Sequence, residues 1–336
     1  MKKSVLSFIF FSIVLFLTAC GSSNEGNTNA ADSNSDKDVP TLVLAEPLRN
    51  FGYLPLYVAV NQGFFEEVNI EITTLSGGSA HTNAVLTGEA WAFIGGPEHN
   101  AFAKAKNADI RAIINVVNRG NVYAVAKEGL TPGEDIAEFV KGKTIVTNPY
   151  GSTPNSITRY LLNEWGLDAD RDVTLLEVDQ SSIPSVISEG GGEIAILADP
   201  ILQQGLDEGI WGEPFYSIPE QLGEYAYSTI NVQLETIEEH PEQVEAFIKG
   251  MKKGLAFIES NPEETLEIAS SEFPTMDEAL LEAMLERAIL DQHWSTTGEI
   301  AEESIETNLK IVEHAEMLEP GKISYEDIVD NSFLDN

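Results

Sequence analysis

The stretch "TLVLAEPLRNFGYLPLYVAVNQGFFEEVNIEITTL", residues 41–75, contains two strand patterns with a helical pattern between them. TLVLAE is a short apolar run, and NIEITTL alternates apolar and polar residues, as a strand with one buried face does. Between them, LPLYVAVNQGFFEEV has apolar residues at helical spacing. A strand, a helix and a strand in this order predict a βαβ unit, and hence an α/β fold with a parallel sheet.

The alternation continues along the chain as far as the last third. Strands are predicted at 91–97, 110–117, 121–128, 143–148, 172–178 and 193–199, and helices at about 153–165, 183–190 and 200–209. From about residue 240 the pattern is helical, with Pro241 and Pro262 placed as first-turn prolines are. We expect two α/β lobes, joined near 115–121 and 222–234: residues 40–118 and 223–336 as lobe 1, and 119–222 as lobe 2.

Residues 1–19 are typical of a signal peptide. A basic start precedes the apolar run 5–17, which is shorter than the roughly 20 residues of a membrane span. The run ends in LTAC, which resembles a bacterial lipobox and implies that Cys20 is diacylated; a free structural cysteine is the alternative. Residues 20–39 lack large apolar side chains until their last residue, and this predicts a flexible tether. We expect a domain anchored by lipid to the extracytoplasmic face of a bacterial membrane.

The charge of the chain excludes one class of partner. The 336 residues include 55 acidic and 19 basic ones, for a net charge of −36, and loss of the two signal-peptide lysines makes it −38. Nucleic-acid binding is not expected, because phosphate contacts need a basic surface. Cys20 is the only cysteine, so no intrachain disulfide can form. The acidity itself indicates a well-solvated surface.

Three segments run from a strand end through Gly, Ser or Thr into a helix: 74–84, 94–101 and 148–156. In open parallel sheets, ligands bind outside the carboxyl ends of the strands, where helix N-termini offer N–H groups. Each segment alone could be an ordinary turn, but three together favour a cleft. In the third, Ser152 or Thr153 can cap its own helix, and we expect that backbone N–H groups around 151–153 also receive a ligand atom; both can hold. Thr153→Pro, which removes one of these N–H groups, is expected to weaken binding.

The stretch "GYLPLYVAVNQGFFEEVNIEITTLSGGSAHTNAVLTGEAWAFIGGP", residues 52–97, resembles the opening of the solute-binding proteins for nitrate, sulfonates, taurine and thiamine-pyrimidine precursors. GSTPNSITRYLL, residues 151–162, resembles the second-lobe turn and helix of that family. The family's features fall on Pro55, Tyr57, Gly63, Phe64, Phe65, Glu66, Ser76, Gly77, Gly78, Gly88 and Glu89. AEPLRNFGY at 45–53 and WAF at 91–93 depart from the family's pattern, so the ligand contacts of no single subfamily carry over.

The resemblance implies a two-lobed type II periplasmic-binding-protein fold, with a cleft between the lobes and two hinge strands. It also implies a small-molecule solute, which closes the lobes, and an ABC permease and ATPase as partners. A monomer without cofactor or metal is expected. By position, the residues expected to line the cleft are Glu46, Arg49, Tyr53, Ser76, Gly77, Gly78, Ser79, Gly96, Pro97, Glu98, Asn118, Arg119, Tyr150, Gly151, Ser152, Thr153 and Asp199.

Three carboxylates in this set, Glu46, Glu98 and Asp199, bear on the choice of ligand. Burying an unpaired carboxylate against an anion is costly, so nitrate or a sulfonate would need compensation from Arg49 or Arg119. A ligand with amine or ring N–H donors could bond the carboxylates directly. This slightly favours an aminopyrimidine-like heterocycle. As alternatives, the three carboxylates are solvated surface groups and Arg119 is a surface hinge residue.

An enzyme on the same scaffold is the competing class, and a sensory receptor or adhesin is a third. The histidines are at 81, 99, 240, 293 and 314, with no pair at metal-ligand spacing. The chain has no HExxH, CxxC or GxSxG motif. His81 and His99 follow strand ends, but we expect them on helix surfaces rather than in the cleft. A binding protein is therefore predicted, and not an enzyme.

Overall fold

The opening βαβ unit forms as its pattern predicts. The computed structural model describes residues 39–76 and 79–334, so the signal peptide, Cys20, nearly all of the tether, Gly77 and Gly78 lie outside the described residues. Strand β1 (Thr41–Glu46) and strand β2 (Asn69–Thr74) pair in parallel along their whole length. Helix α1 (Leu54–Asn61) connects them and is shorter than the pattern suggests, because the chain turns at Gly63 with a φ of +65°.

In the described part of the chain the strands form two five-stranded sheets. The first sheet has the order β2, β1, β3 (Ala92–Gly95), β10 (Ser228–Gln233) and β4 (Ile110–Val117). The second has the order β7 (Thr174–Glu177), β6 (Thr144–Thr147), β8 (Ile194–Ala198), β5 (Val122–Ala126) and β9 (Tyr216–Ser217). Each predicted strand is present; β9 and β10 are additions, and β10 lies in the segment 222–234 where the chain was expected to return to lobe 1.

The sheets are mixed, so the expectation of purely parallel pairing is wrong for two strands. β10 is antiparallel to both β3 and β4, and β5 is antiparallel to both β8 and β9. The cause is the path of the chain. β4 ends the first run of alternating strands and helices, β5 enters the second sheet from the opposite direction, and β10 returns to the first sheet.

Helices cover the sheets and extend into the C-terminal part. In the first half they are α2 (Ala80–Leu86), α3 (Glu98–Lys104), α4 (Ile136–Val140) and α5 (Thr153–Glu164). Next come α6 (Ile183–Ser188), α7 (Ile201–Asp207), α8 (Ile218–Leu222) and α9 (Leu234–Glu239). The last are α10 (Pro241–Ser260), α11 (Pro262–Glu272), α12 (Glu278–Leu290) and α13 (Glu302–His314). Pro241 and Pro262 begin their helices, as predicted.

Two stretches of chain cross between the sheets side by side. The segment after β4 holds Asn118, whose carbonyl accepts the N–H of Tyr225 at 2.8 Å, and the N–H of Tyr227 bonds the carbonyl of Val117 at 3.0 Å. The first sheet uses strands from residues 41–117 and 228–233, and the second uses strands from 122–217. The proposed lobe limits at 118/119 and 222/223 fall in the connections between these groups of strands.

The C-terminal helices contact the helices of both sheets. α10 packs on α1, α13 touches α3 and α5, and α12 touches α7. The end of the chain thereby ties the helices beside the first sheet to those beside the second. Among the described residues, no helix combines the length and apolar character that a membrane span requires.

Candidate functional site

A cavity of about 290 Å³ lies at the carboxyl ends of the strands and draws its lining from both sheets. From the first sheet it takes the segment after β1 and the Gly95-Gly96 end of β3. From the second it takes the segments after β6, β7 and β8. This is where ligands bind in open α/β sheets. We call it the first cavity.

Six of the residues expected in the cleft line the first cavity. They are Arg49, Tyr53, Ser76, Gly96, Ser152 and Thr153. Burial raises the pKa of Tyr53 above its usual range, so its hydroxyl stays protonated and can donate a hydrogen bond. A role of these six residues in ligand binding remains a prediction.

Three other expected residues, Ser79, Tyr150 and Gly151, line a different space. This second cavity has a volume of about 390 Å³ and shares His99 with the first. Tyr150 is 55% exposed, and its ring lies 5.2 Å from the Arg159 guanidinium. Tyr150 thus lines the second cavity and not the first.

Glu46 is buried behind the wall of the first cavity and does not line it. One carboxylate oxygen accepts the Tyr57 hydroxyl at 2.6 Å, and the other accepts the Thr74 hydroxyl at 2.8 Å and Arg49 at 3.3 Å. Burial and the nearby Glu46 raise the pKa of Tyr57 well above its usual range. Because its oxygens are already bonded, Glu46 holds the segment after β1 in place, and the expectation that it faces the ligand gains no support.

Glu98 is also buried, and it joins three parts of the chain. It accepts hydrogen bonds from the Thr153 hydroxyl and, at 2.9 Å, from the Asn308 side chain. Gly96 makes room for this carboxylate, since a Cβ there would collide with it. Pro97 only leads into α3 and does not line the cavity. Glu98 therefore links α3, α5 and α13 and is not a free acceptor for a ligand amine.

Asp199 follows β8 and is fully engaged with α12 and α7. Arg287 donates to its two oxygens at 3.2 and 2.9 Å, and the backbone N–H of Gln203 donates at 3.2 Å. Burial raises the pKa of Asp199 in spite of the opposing charge of Arg287. The structure thus places Asp199 in an ion pair outside the first cavity.

The hinge residues Asn118 and Arg119 do not line the first cavity either. The Asn118 N–H donates to the His293 carbonyl at 2.6 Å, and its side chain accepts from Asn115 at 2.7 Å. Arg119 is partly exposed beside it. Asn118 fixes the connection between the sheets, and the role of Arg119 as a surface hinge residue stays a prediction.

The N-terminus of α5 does not cap itself through a side chain. The Ser152 hydroxyl donates instead to the Pro149 carbonyl at 2.7 Å, and the Thr153 hydroxyl goes to Glu98. This leaves the N–H group of Thr153 at the wall of the first cavity without a side-chain cap, since the next residue, Pro154, has no N–H group. Thr153→Pro would also remove the bond to Glu98, so it is not a clean test of the N–H group.

Two histidines were wrongly expected on helix surfaces. His81 on α2 and His99 on α3 are 2% and 4% exposed, and both line the first cavity. Their rings are perpendicular with centroids 4.7 Å apart, and burial lowers the pKa of each. A local pattern could not reveal this, because the burial depends on contacts of α2 with β1, β3 and β10 and of α3 with β4 and α13.

Other lining residues also went unpredicted. The neutral polar ones among them are Asn50, Asn148, Gln180, Ser181, Tyr227 and Ser228. Asn50 directly follows Arg49, and Asn148 is the first residue of the segment 148–156, so counting every residue near these strand ends would have found both. Ser228 begins a strand that joins the site only through the return of the chain to the first sheet.

The first cavity has little free positive charge. Among its described lining residues the one Lys or Arg is Arg49, which bonds Glu46 and Glu272 and lies 3.9 Å over the Tyr57 ring. Asp179 adds an exposed carboxylate to the wall. Among the described lining residues, no Lys or Arg is left unpaired to offset the charge of an anion.

Comparison with known proteins agrees with this geometry. The family described as "NMT1/THI5 like" matches residues 50–265, which is more than half of the chain. The chain belongs to this family. A curated relative, the putative binding protein YtlA of Bacillus subtilis (strain 168), is 24% identical over 313 residues, which cover 91% of this chain and 92% of YtlA.

Two solved structures have the same fold. The alkanesulfonate-binding protein SsuA from Xanthomonas axonopodis pv. citri, bound to MOPS, matches with a TM-score of 0.71 at 15% identity, covering 87% of this chain and 98% of SsuA. The periplasmic nitrate-binding protein NrtA from Synechocystis PCC 6803 matches with a TM-score of 0.71 at 10% identity, covering 88% and 87%. They confirm the predicted periplasmic-binding-protein fold. These relatives are named as binding proteins, which agrees with the prediction of a binding protein rather than an enzyme.

Proposed function

We propose that this protein is the solute-binding component of an ABC importer, which captures a small molecule between its two sheets and delivers it to a permease. The observation that carries the proposal is the first cavity, which both sheets line at the carboxyl ends of their strands. Its volume of about 290 Å³ is near the lower end of small-molecule sites and suits a compact solute. The names of YtlA, SsuA and NrtA support the same class of function.

The solute we favour is an uncharged heterocycle of the aminopyrimidine type, in preference to a sulfonate or nitrate. The three carboxylates do not support this choice, because Glu46, Glu98 and Asp199 do not line the cavity and are already bonded to protein groups. The lining itself supplies a better reason. The polar side chains among its lining residues are mainly neutral, and its one guanidinium, Arg49, is already paired with two carboxylates.

The proposal includes a membrane anchor. LTAC at the end of the apolar run makes Cys20 the expected lipidated residue, and residues 20–39 would tether the folded domain to the extracytoplasmic face of the membrane. Labelling of cells with radioactive palmitate would test this. Label is expected in the wild type and not in Cys20→Ala, whereas equal labelling of both would refute the anchor.

The solute-binding function is tested by thermal unfolding of residues 40–336 against a panel of solutes. The panel contains 4-aminopyrimidine, alkanesulfonates, taurine, nitrate, bicarbonate and flavins. A solute present at 100 times its dissociation constant adds about 2.7 kcal/mol to the free energy of unfolding, which raises the midpoint by about 4 °C in a domain of this size. Native mass spectrometry of the purified protein would detect a solute outside the panel. No shift and no carried-over solute would contradict the proposed function.

A further inference from the structure

Two side chains that line the first cavity have buried polar atoms without a partner in the described structure: Asn148 at Oδ1, and His81 at both of its ring nitrogens. His81 is 2% exposed and lines the cavity, and neither Nδ1 nor Nε2 has a hydrogen-bond partner in the described structure. Its Nε2 edge lies against Gly95 at the end of β3. Phe93 and His99 present their rings to it at centroid distances of 5.1 and 4.7 Å.

These surroundings would suit an apolar ring better than an imidazole. Buried polar groups in folded proteins are nearly always paired, and an unpaired one lowers stability. Phenylalanine would fill a similar volume among Phe93 and His99 without that penalty. A histidine at this position is therefore hard to explain by packing, and it is explained if a ligand in the cavity bonds it.

The charged state of His81 narrows the kind of ligand. Burial, and to a lesser degree His99, lowers its pKa well below the usual range, so the ring is neutral near neutral pH. The elements packed on α2 are β1, β3 and β10, and α3 contributes His99. β3 and β10 carry no charged side chain, Glu46 at the end of β1 is already bonded, and Glu98 precedes His99 on α3.

A neutral imidazole has one donor nitrogen and one acceptor nitrogen. With neither nitrogen held by the protein, the ring can take the tautomer that a ligand requires. An oxyanion would use only the donor, and its charge would favour protonation of the ring. An amino-heteroaromatic or amide edge matches the neutral ring without any change of charge.

We propose that His81 is the specificity-determining residue of the first cavity, where it forms a hydrogen bond with an uncharged donor or acceptor of the solute and selects amino-heteroaromatic or amide solutes over sulfonates and nitrate. This inference rests on the proposed solute-binding function. It assigns to a single side chain the discrimination between the two ligand classes.

The test compares His81→Phe with Thr82→Val and the wild type. Thr82 is the next residue of α2 and is also buried, with an unpartnered hydroxyl, but it lines the second cavity. Thermal unfolding without ligand reports on packing, and calorimetric titration with 4-aminopyrimidine, taurine and methanesulfonate reports on binding. His81→Asn keeps an amide donor and acceptor, so it serves if His81→Phe does not fold.

We expect His81→Phe to unfold at the same temperature as the wild type or higher, and to bind 4-aminopyrimidine at least about 10-fold more weakly. Thr82→Val should bind as the wild type does, and His81→Asn should lie between the two. Unchanged binding in His81→Phe or His81→Asn would overturn the inference and leave the solute-binding function standing. If the wild type binds nothing in the panel and carries no solute, the proposed function itself fails.

Proton uptake by the wild type provides a second test that needs no variant. Titrations near pH 7.5 in two buffers of different ionisation enthalpy count the protons taken up on binding. We expect none to be taken up with 4-aminopyrimidine, because the ring stays neutral. Tighter binding of methanesulfonate than of 4-aminopyrimidine, with close to one proton taken up, would mean that His81 serves an anion and would overturn the inference.

Discussion

The ion pair between Asp199 and Arg287 should be the most sensitive link between the C-terminal helices and the second sheet. The Asp199 side chain is 3% exposed and that of Arg287 is 20% exposed, with an N–O distance of 2.9 Å. Arg287→Leu would leave the Asp199 carboxylate buried with only the Gln203 N–H as a partner. Removal of one partner of a buried pair costs about 3–5 kcal/mol.

This cost translates into a measurable change in the unfolding midpoint. About 300 folded residues give an unfolding entropy of about 0.6 kcal/mol/K, so Arg287→Leu should lower the midpoint by about 5–8 °C. Asp199→Asn should cost less, because Arg287 is near enough to the surface to be hydrated. The double variant should be more stable than the sum of the two single changes predicts.

The pH dependence of Arg287→Leu provides an independent check on the same pair. Burial already raises the pKa of Asp199, and loss of the opposing Arg287 charge should raise it further. A carboxyl whose pKa is raised by folding favours the folded state at low pH and loses this contribution as the pH rises through the folded pKa. The loss of stability of Arg287→Leu relative to the wild type should therefore become smaller as the pH is lowered from about 7 to about 5. The measurement is differential scanning calorimetry. A fall of the unfolding midpoint by less than about 2 °C in Arg287→Leu, or a loss of stability that does not depend on pH, would refute the reasoning.

Three further outcomes follow from other contacts. Burial lowers the pKa of His81 and His99, so the free energy of unfolding should fall as the pH drops below the usual histidine pKa of about 6.5. The fall is up to about 1.4 kcal/mol per pH unit for each ring. In urea unfolding, the free energy of unfolding of His81→Phe should change less with pH than that of the wild type. Gly205→Ala would place a methyl group against the Trp211 ring and should cost about 1–3 kcal/mol, and a midpoint equal to that of the wild type would contradict this packing. Thr153→Val removes a donor to a buried carboxylate and should cost about 1–3 kcal/mol in urea unfolding, while Thr153→Ser should recover most of it.

Most strands could be predicted from the local sequence, because a strand buried in a sheet needs a short run of apolar or alternating apolar and polar residues. β1 and β4 were predicted to the residue. The antiparallel direction of β5 and β10 could not be predicted in this way, since it depends on which sheet the chain enters next. A strand pattern gives no sign of its direction.

The lining residues could be predicted where their position at a strand end brings them to the cavity. They could not be predicted where contacts with side chains far along the chain determine whether a residue is free to bind a ligand. Arg49, Gly96 and Ser152 lie at strand ends, and position alone brought them to the cavity. The carboxylates were a different case: Glu98 finds its partner at Asn308, which is 210 residues away, so its engagement was invisible in the sequence around it. The same distance effect hid the burial of the two histidines.

The central claim is that the first cavity, and no other part of the protein, holds the solute. Ser152 lines this cavity and makes one side-chain bond to Pro149, so Ser152→Phe should fill the cavity at little structural cost. Thermal unfolding of both proteins should be measured with the solute that shifts the wild type most. We predict a shift of about 4 °C for the wild type at 100 times the dissociation constant and none for Ser152→Phe. An equal shift in both proteins would contradict the claim.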